Sequence, residues 1–284
     1  MAEAGDFIVI DRTFVRVPRP GDTIRGQVRI PDGPLPRTAV VVVHGFKGFK
    51  DWGFFPYACE RLAAAGHAVV SFNFSRNGVG EDLESFSELD RFGANTLSLE
   101  LDELRLILDE VFDGDILPFR PARVGLLGHS RGGGQVILGA AEEPRVSAVV
   151  SWAAVSTFNR WTEETKAKWR EDGRYYVKNA RTGQHLPLDL TMLEDFEANA
   201  ERLDIPAAAA RVETPWLIVH GTHDLTVRVR DGKALAGFQP DAKLRLIDGA
   251  GHTFNAKHPF EGPPPELDRA LDETIAHFES HLLG

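Results

Sequence analysis

Three residues in this chain together have the side chains for nucleophilic catalysis, and each stands in a loop just after an apolar run. Ser130 lies within Gly128-His129-Ser130-Arg131-Gly132, directly after the run 123 to 127 and directly before a helical pattern. A sharp strand-to-helix turn puts such a serine in a strained backbone conformation, and the flanking glycines remove Cβ atoms that would clash there. A serine hydroxyl is a weak nucleophile until a base takes its proton, and the base needs an orienting partner on its other ring nitrogen. Asp224 follows the run 215 to 220, and His252 follows the run 243 to 248. Asp231 and Asp248 are rival acids. Asp231 falls inside the next helical pattern, and Asp248 stands at the end of the last apolar run, shortly before His252.

Attack on a carbonyl builds negative charge on its oxygen, which needs hydrogen-bond donors at that spot. His44-Gly45-Phe46 follows the apolar run 38 to 43. His44, His129, His220 and His223 read as loop and packing residues. Lys47, Lys50 and Arg131 stand near this loop with the charge to meet a carboxylate, although cations at a cleft rim are commonly just solvated.

These loops need a rigid frame. Apolar runs at 38–43, 67–72, 123–127, 146–151, 215–220 and 243–248 read as strands buried on both faces, as a parallel sheet requires. Helical patterns at 54–65, 94–112, 131–141, 228–237 and 266–282 alternate with them. The expected fold class is α/β, a mostly parallel, doubly wound sheet. Residues 7–17 and 23–30 alternate apolar and polar, which suits antiparallel strands at the start of the chain. Residues 152–211 are too long for a crossover and read as an inserted lid, dividing the chain into a core of 1–151 and 212–284 and a lid of 152–211. Its aromatics, with Trp152, Trp161 and Tyr176 as the candidate substrate contacts, either line an acyl or aryl pocket or form the insertion's own small core.

With these residues in the order Ser, Asp, His, each at the end of a strand, the chain resembles an α/β-hydrolase from about Thr38 onward. The resemblance implies the α/β-hydrolase fold, Ser130 as nucleophile, Asp224 as acid and His252 as base. His44-Gly45-Phe46 matches the family's oxyanion loop, which implies the backbone N–H groups of Phe46 and of Arg131, the residue after the serine, as the donors. The segments His44 to Trp52, Ala63 to His67 and Phe72 to Gly80 are similar to feruloyl and cinnamoyl esterases and to dienelactone-hydrolase-like proteins, which also carry an insertion here. Those relatives often show Asp-x-x-Gly-x-Gly where this chain has Asn73 to Gly78. The expectation is a serine hydrolase cleaving carboxylic esters of small molecules, with no cofactor. Peptidase, thioesterase and acyltransferase chemistry use the same residues, and a binding module with a vestigial site is the rival from another class.

Composition narrows the field from the other side. The chain has 284 residues, 43% apolar and 26% charged, with a formal net charge of −10. That balance repels polyanions and argues against nucleic acid as a partner. Segment 81–115 carries 12 Asp or Glu against Arg91 and Arg105, which reads as a solvated helix face. A single cysteine, Cys59, allows no intrachain disulfide and no Cys-based zinc site, and no His/Asp/Glu spacing suggests a metal. The longest apolar run, Ala39 to Val43, is too short to span a bilayer. With no leader pattern at the N-terminus, a cytoplasmic protein off the membrane is expected.

Overall fold

The computed structural model describes residues 9–82 and 85–284. Eight strands form one sheet: β1 (Val9–Arg19), β2 (Asp22–Pro31), β3 (Thr38–Val43), β4 (Ala68–Asn73), β5 (Arg123–His129), β6 (Val146–Trp152), β9 (Trp216–Gly221) and β10 (Lys243–Ile247). Their order across the sheet is β1-β2-β4-β3-β5-β6-β9-β10. β1 and β2 pair antiparallel, β2 pairs antiparallel with β4, and every pairing from β4 to β10 is parallel.

Strand β3 shows why the run Thr-Ala-Val-Val-Val-Val belongs at the centre. All six residues are buried, and period-two alternation sends Val41 and Val43 into one core and Val40 and Val42 into the other. Helices α1 (Phe55–Ala64) and α9 (Pro265–Phe278) cover the second core, while α3 (Leu97–Asp113), α4 (Arg131–Glu142) and α8 (Val229–Phe238) cover the first. The chain turns back from β4 to place β5 on the other side of β3. The loops after β3 and β5 therefore part at the sheet's carboxyl edge, where such folds open a crevice. A short α2 (Leu89–Gly93) precedes α3 and has no strong periodic signal in the sequence.

Between β6 and β9 the chain builds α5 (Glu163–Asp172), the hairpin β7 (Arg174–Lys178) and β8 (His185–Asp189), α6 (Leu190–Ala198) and α7 (Ile205–Ala209). Trp152 is the last residue of β6. Trp169 packs edge-on to Trp161 and tilted against Tyr175, and donates from Nε1 to the Leu188 carbonyl at 2.9 Å. These aromatics are continuous with the core on the α3 and α4 side of the sheet and form no separate core of their own.

The acidic segment is not uniformly solvated. Glu100 and Glu103, on the inner face of α3, are 4% and 2% exposed. No helix among the described residues is long and apolar enough to cross a membrane.

Candidate active site

Ser130 stands between the end of β5 and the start of α4 with φ 59° and ψ −117°, a conformation that an L-residue adopts only when its surroundings hold it there. They do so closely. The Ser130 N–H donates to the Trp152 carbonyl at 2.8 Å, and the Val155 N–H donates to the Ser130 carbonyl at 3.2 Å. A Cβ on Gly132 would lie 2.5 Å from the Val43 carbonyl oxygen, so only glycine lets the start of α4 press against the loop after β3.

His252, in the loop after β10, reaches the serine. Its Nε2 is 3.0 Å from Ser130 Oγ, and its Nδ1 is 2.8 Å from Asp224 Oδ2. Asp224, in the loop after β9, is held on its other side, where Oδ1 accepts the N–H groups of Thr226 (2.8 Å) and Val227 (2.9 Å). His220 donates from Nε2 to the Val227 carbonyl at 2.8 Å and lies 3.5 Å from Asp224 Oδ2. Burial alone would raise the Asp224 carboxyl, but His220, His252 and the Val227 N–H outweigh it and hold it below the usual carboxylate range. Asp224 is therefore a carboxylate that accepts from Nδ1–H, leaving Nε2 free to take the serine proton.

A second histidine supports the first. His129 donates from Nε2 to the His252 carbonyl at 2.8 Å, and the two rings are 4.7 Å apart. Burial, then the neighbouring His252, push the His129 imidazole down to about 3, so it stays neutral and acts as a fixed donor.

The loop after β3 faces the serine across a gap only glycine can fill. A Cβ on Gly45 would be 2.9 Å from Ser130 Cβ and 3.4 Å from the Arg131 nitrogen. The amides of Phe46 and Arg131 flank this contact, and neither donates to another described residue. Arg131 is the first residue of α4, whose opening N–H groups have no helical acceptor. His44 donates from Nδ1 to the Gly45 carbonyl (2.9 Å) and accepts the Phe74 N–H at Nε2 (3.3 Å), so it braces the loop as a neutral ring.

The cavity over Ser130 has a volume of about 480 Å³, the size of a small-molecule site. Trp161 lines it, with Phe158, Trp52, Phe55 and Phe46. Two expected contacts do not. Trp152 is 1% exposed and donates from Nε1 to Thr274 Oγ1, while its ring packs on Phe254 in the loop that carries His252. It is a prop for the elbow and the histidine loop, because a strand's last residue still points into the layer behind the sheet. Tyr176 is 53% exposed, since strand alternation turns it away from the face that carries Val177 into the cavity.

Lys50 is also removed from the site, buried in an ion pair with Asp51 at 2.6 Å. The Arg131 guanidinium lies 4.0 Å over the Phe46 ring and 3.5 Å from Glu100, which also accepts from Asn95 and Gln135. Glu100 thus holds the residue that follows the serine, a role sequence reading missed. The available signal was its position three residues after Leu97 and four before Leu104, on the apolar stripe. Among the described residues no group of three or more His, Cys, Asp or Glu is placed to hold a metal ion.

The sheet order, the strained serine and the two loops that meet it coincide with a known family: residues 40–262 match the model of the alpha/beta hydrolase family. The chain belongs to the alpha/beta hydrolase family, and its fold is the one expected from the sequence. It is 28% identical over 203 residues to 2,6-dihydropseudooxynicotine hydrolase of Paenarthrobacter nicotinovorans, covering 69% of this chain and 47% of that one, so it spans about half the length of this relative. In structure it resembles Est1E of Butyrivibrio proteoclasticus with ferulic acid bound, with TM-score 0.71, 19% identity and coverage of 93% of this chain and 97% of the other. It also resembles the dienelactone hydrolase of Anabaena variabilis, with TM-score 0.64, 20% identity and coverage of 96% and 99%.

Proposed function

We propose that this protein is a serine hydrolase of the cytoplasm that cleaves carboxylic esters of small molecules through an acyl-enzyme. The observation that carries the reading is the 3.0 Å approach of His252 Nε2 to the strained Ser130 Oγ, with Asp224 on the far side of the ring. Ser130 Oγ attacks the ester carbonyl carbon as its proton passes to His252 Nε2. The oxyanion accepts from the Phe46 and Arg131 amides. As the tetrahedral adduct collapses, His252 gives the proton to the departing alcohol oxygen, and Ser130 is left acylated. Water then attacks the acyl carbon while His252 takes its proton, and the acid leaves as Ser130 regains its hydrogen. Asp224 stabilises the imidazolium in both halves.

The likeness to Est1E with ferulic acid bound and to a dienelactone hydrolase supports the fold, and the aromatic wall of the cavity supports an acyl or aryl group of small to medium size. The test is hydrolysis of a p-nitrophenyl ester series and methyl ferulate by the wild-type protein and Ser130→Ala. Turnover by the wild type alone is expected, and a chain length of maximal kcat/KM measures the pocket. Equal rates for the two proteins would refute the reading.

A further inference from the structure

The cavity above Ser130 is lined by four cationic side chains, Lys47, Arg131, Arg160 and Arg181, and, among the described residues, by no carboxylate, in a chain whose formal net charge is −10. Two of the four are already matched. Arg131 lies 3.5 Å from Glu100, and Arg160 lies 3.2 Å from Asp231. Lys47 and Arg181 have no acidic partner among the described residues. Lys47 has no acid beside it among the described residues. It is partly buried, donates only to the Lys178 carbonyl at 3.3 Å, and sits at φ 58° in the loop that faces the serine.

Arg181, an exposed residue, comes from the turn between β7 and β8, which is well braced. The Asn179 N–H donates to the Gln184 carbonyl and the Gly183 N–H to the Asn179 carbonyl, both at 2.8 Å. Asn179 Oδ1 accepts the Arg181 N–H at 3.1 Å. Gln184 Nε2 ties the turn to the Phe86 carbonyl at 3.2 Å. The Lys47–Lys178 hydrogen bond joins this hairpin to the loop after β3, and Lys47 and Arg181 both line the cavity. Burial, and after it the nearby Arg131, depress the Lys47 ammonium.

We propose that the substrates are esters carrying a carboxylate on the acyl or the alcohol portion, with Lys47 and Arg181 binding that carboxylate and Phe46, Trp52, Phe158 and Trp161 packing on the apolar body. This rests on the esterase reading above. A charge-assisted hydrogen bond to a carboxylate in a partly buried site is worth roughly tenfold or more in binding.

The experiment compares matched esters. One pair places the charge on the acyl side: 4-nitrophenyl hydrogen suberate against its methyl-capped diester. The other places it on the alcohol side: 4-carboxyphenyl butyrate against its methyl-capped counterpart. Each kcat/KM is divided by the hydroxide-catalysed rate of the same compound. The expected result is a preference of about tenfold or more for the carboxylate in at least one pair, shrinking at high salt and in Lys47→Gln/Arg181→Gln. The preference is a ratio measured on one protein, so it does not depend on how much of the variant folds. Equal or faster hydrolysis of the capped ester in both pairs would overturn the proposal, as would a preference that survives the double variant. Hydrolysis of neutral esters without any preference contradicts the anion site alone; no Ser130-dependent hydrolysis of any ester contradicts the esterase reading and this inference with it.

Discussion

Gly45 and Ser130 are in contact across the crevice: a Cβ built on Gly45 would be 2.9 Å from the Ser130 Cβ and 2.8 Å from the His129 carbonyl oxygen. The loop after β3 can therefore approach the serine only as glycine. Gly45→Ala is expected to push the two loops apart, costing about 1–3 kcal/mol of stability and on the order of 10² in kcat. Gly237, in α8, has nothing within 4 Å of its Cβ position, and Gly237→Ala is expected to gain up to about 1 kcal/mol with activity intact. Thermal melts and ester kinetics on the two variants give the comparison.

Asp224→Asn tests the tautomer of His252. The amide keeps the size of the carboxylate but can donate to Nδ1, which would put the imidazole proton on Nε2 and remove the base from Ser130. The expected loss is on the order of 10³–10⁴ in kcat with KM little changed. A loss of less than about tenfold would show that Asp224 does not orient the base.

Glu103 makes stability depend on pH. Burial pushes its carboxyl up to about 7 from the ordinary 4.5, against the opposing hydrogen bonds from the Ser75 N–H and hydroxyl. Between those values the folded protein holds a proton that the unfolded chain has lost, so this group's contribution is full below about 4.5 and declines as pH rises through 7. Glu103→Gln carries no such titration. Relative to the wild type it should gain stability from pH 5 to pH 8, by up to roughly 3 kcal/mol. Denaturant midpoints at the two pH values measure it; a difference that stays flat with pH would contradict the assignment.

The sequence was most legible where chemistry and secondary structure coincide. Ser130, Asp224 and His252 each follow an apolar run, and the structure brings all three together at one sheet edge. The strands and long helices lie within a few residues of their periodic signals. Burial on both faces forces continuous apolar runs in β3, β4 and β9, whereas β10, at the sheet's edge, is largely exposed rather than buried on both faces. Legibility failed where tertiary contact decides the role of a residue. Glu100 and Glu103 look like two more charges on an acidic helix until α4 and the Ser75 backbone supply their partners. Trp152 and Tyr176 look like pocket aromatics, yet strand ends and strand alternation turn one into the core and the other to solvent. The β7–β8 hairpin, only five residues per strand and interrupted by Pro187, has too little pattern to separate it from a loop. It nevertheless supplies Arg181 and Val177 to the cavity.

The central claim is that Ser130 is the activated nucleophile. Treatment with a fluorophosphonate, followed by mass mapping of the peptides, tests it without any choice of substrate. One adduct on Ser130 is predicted in the wild type, none in Ser130→Ala, and much slower labelling in His252→Gln. An unlabelled wild-type protein, or an adduct on another residue that persists in Ser130→Ala, would contradict the account.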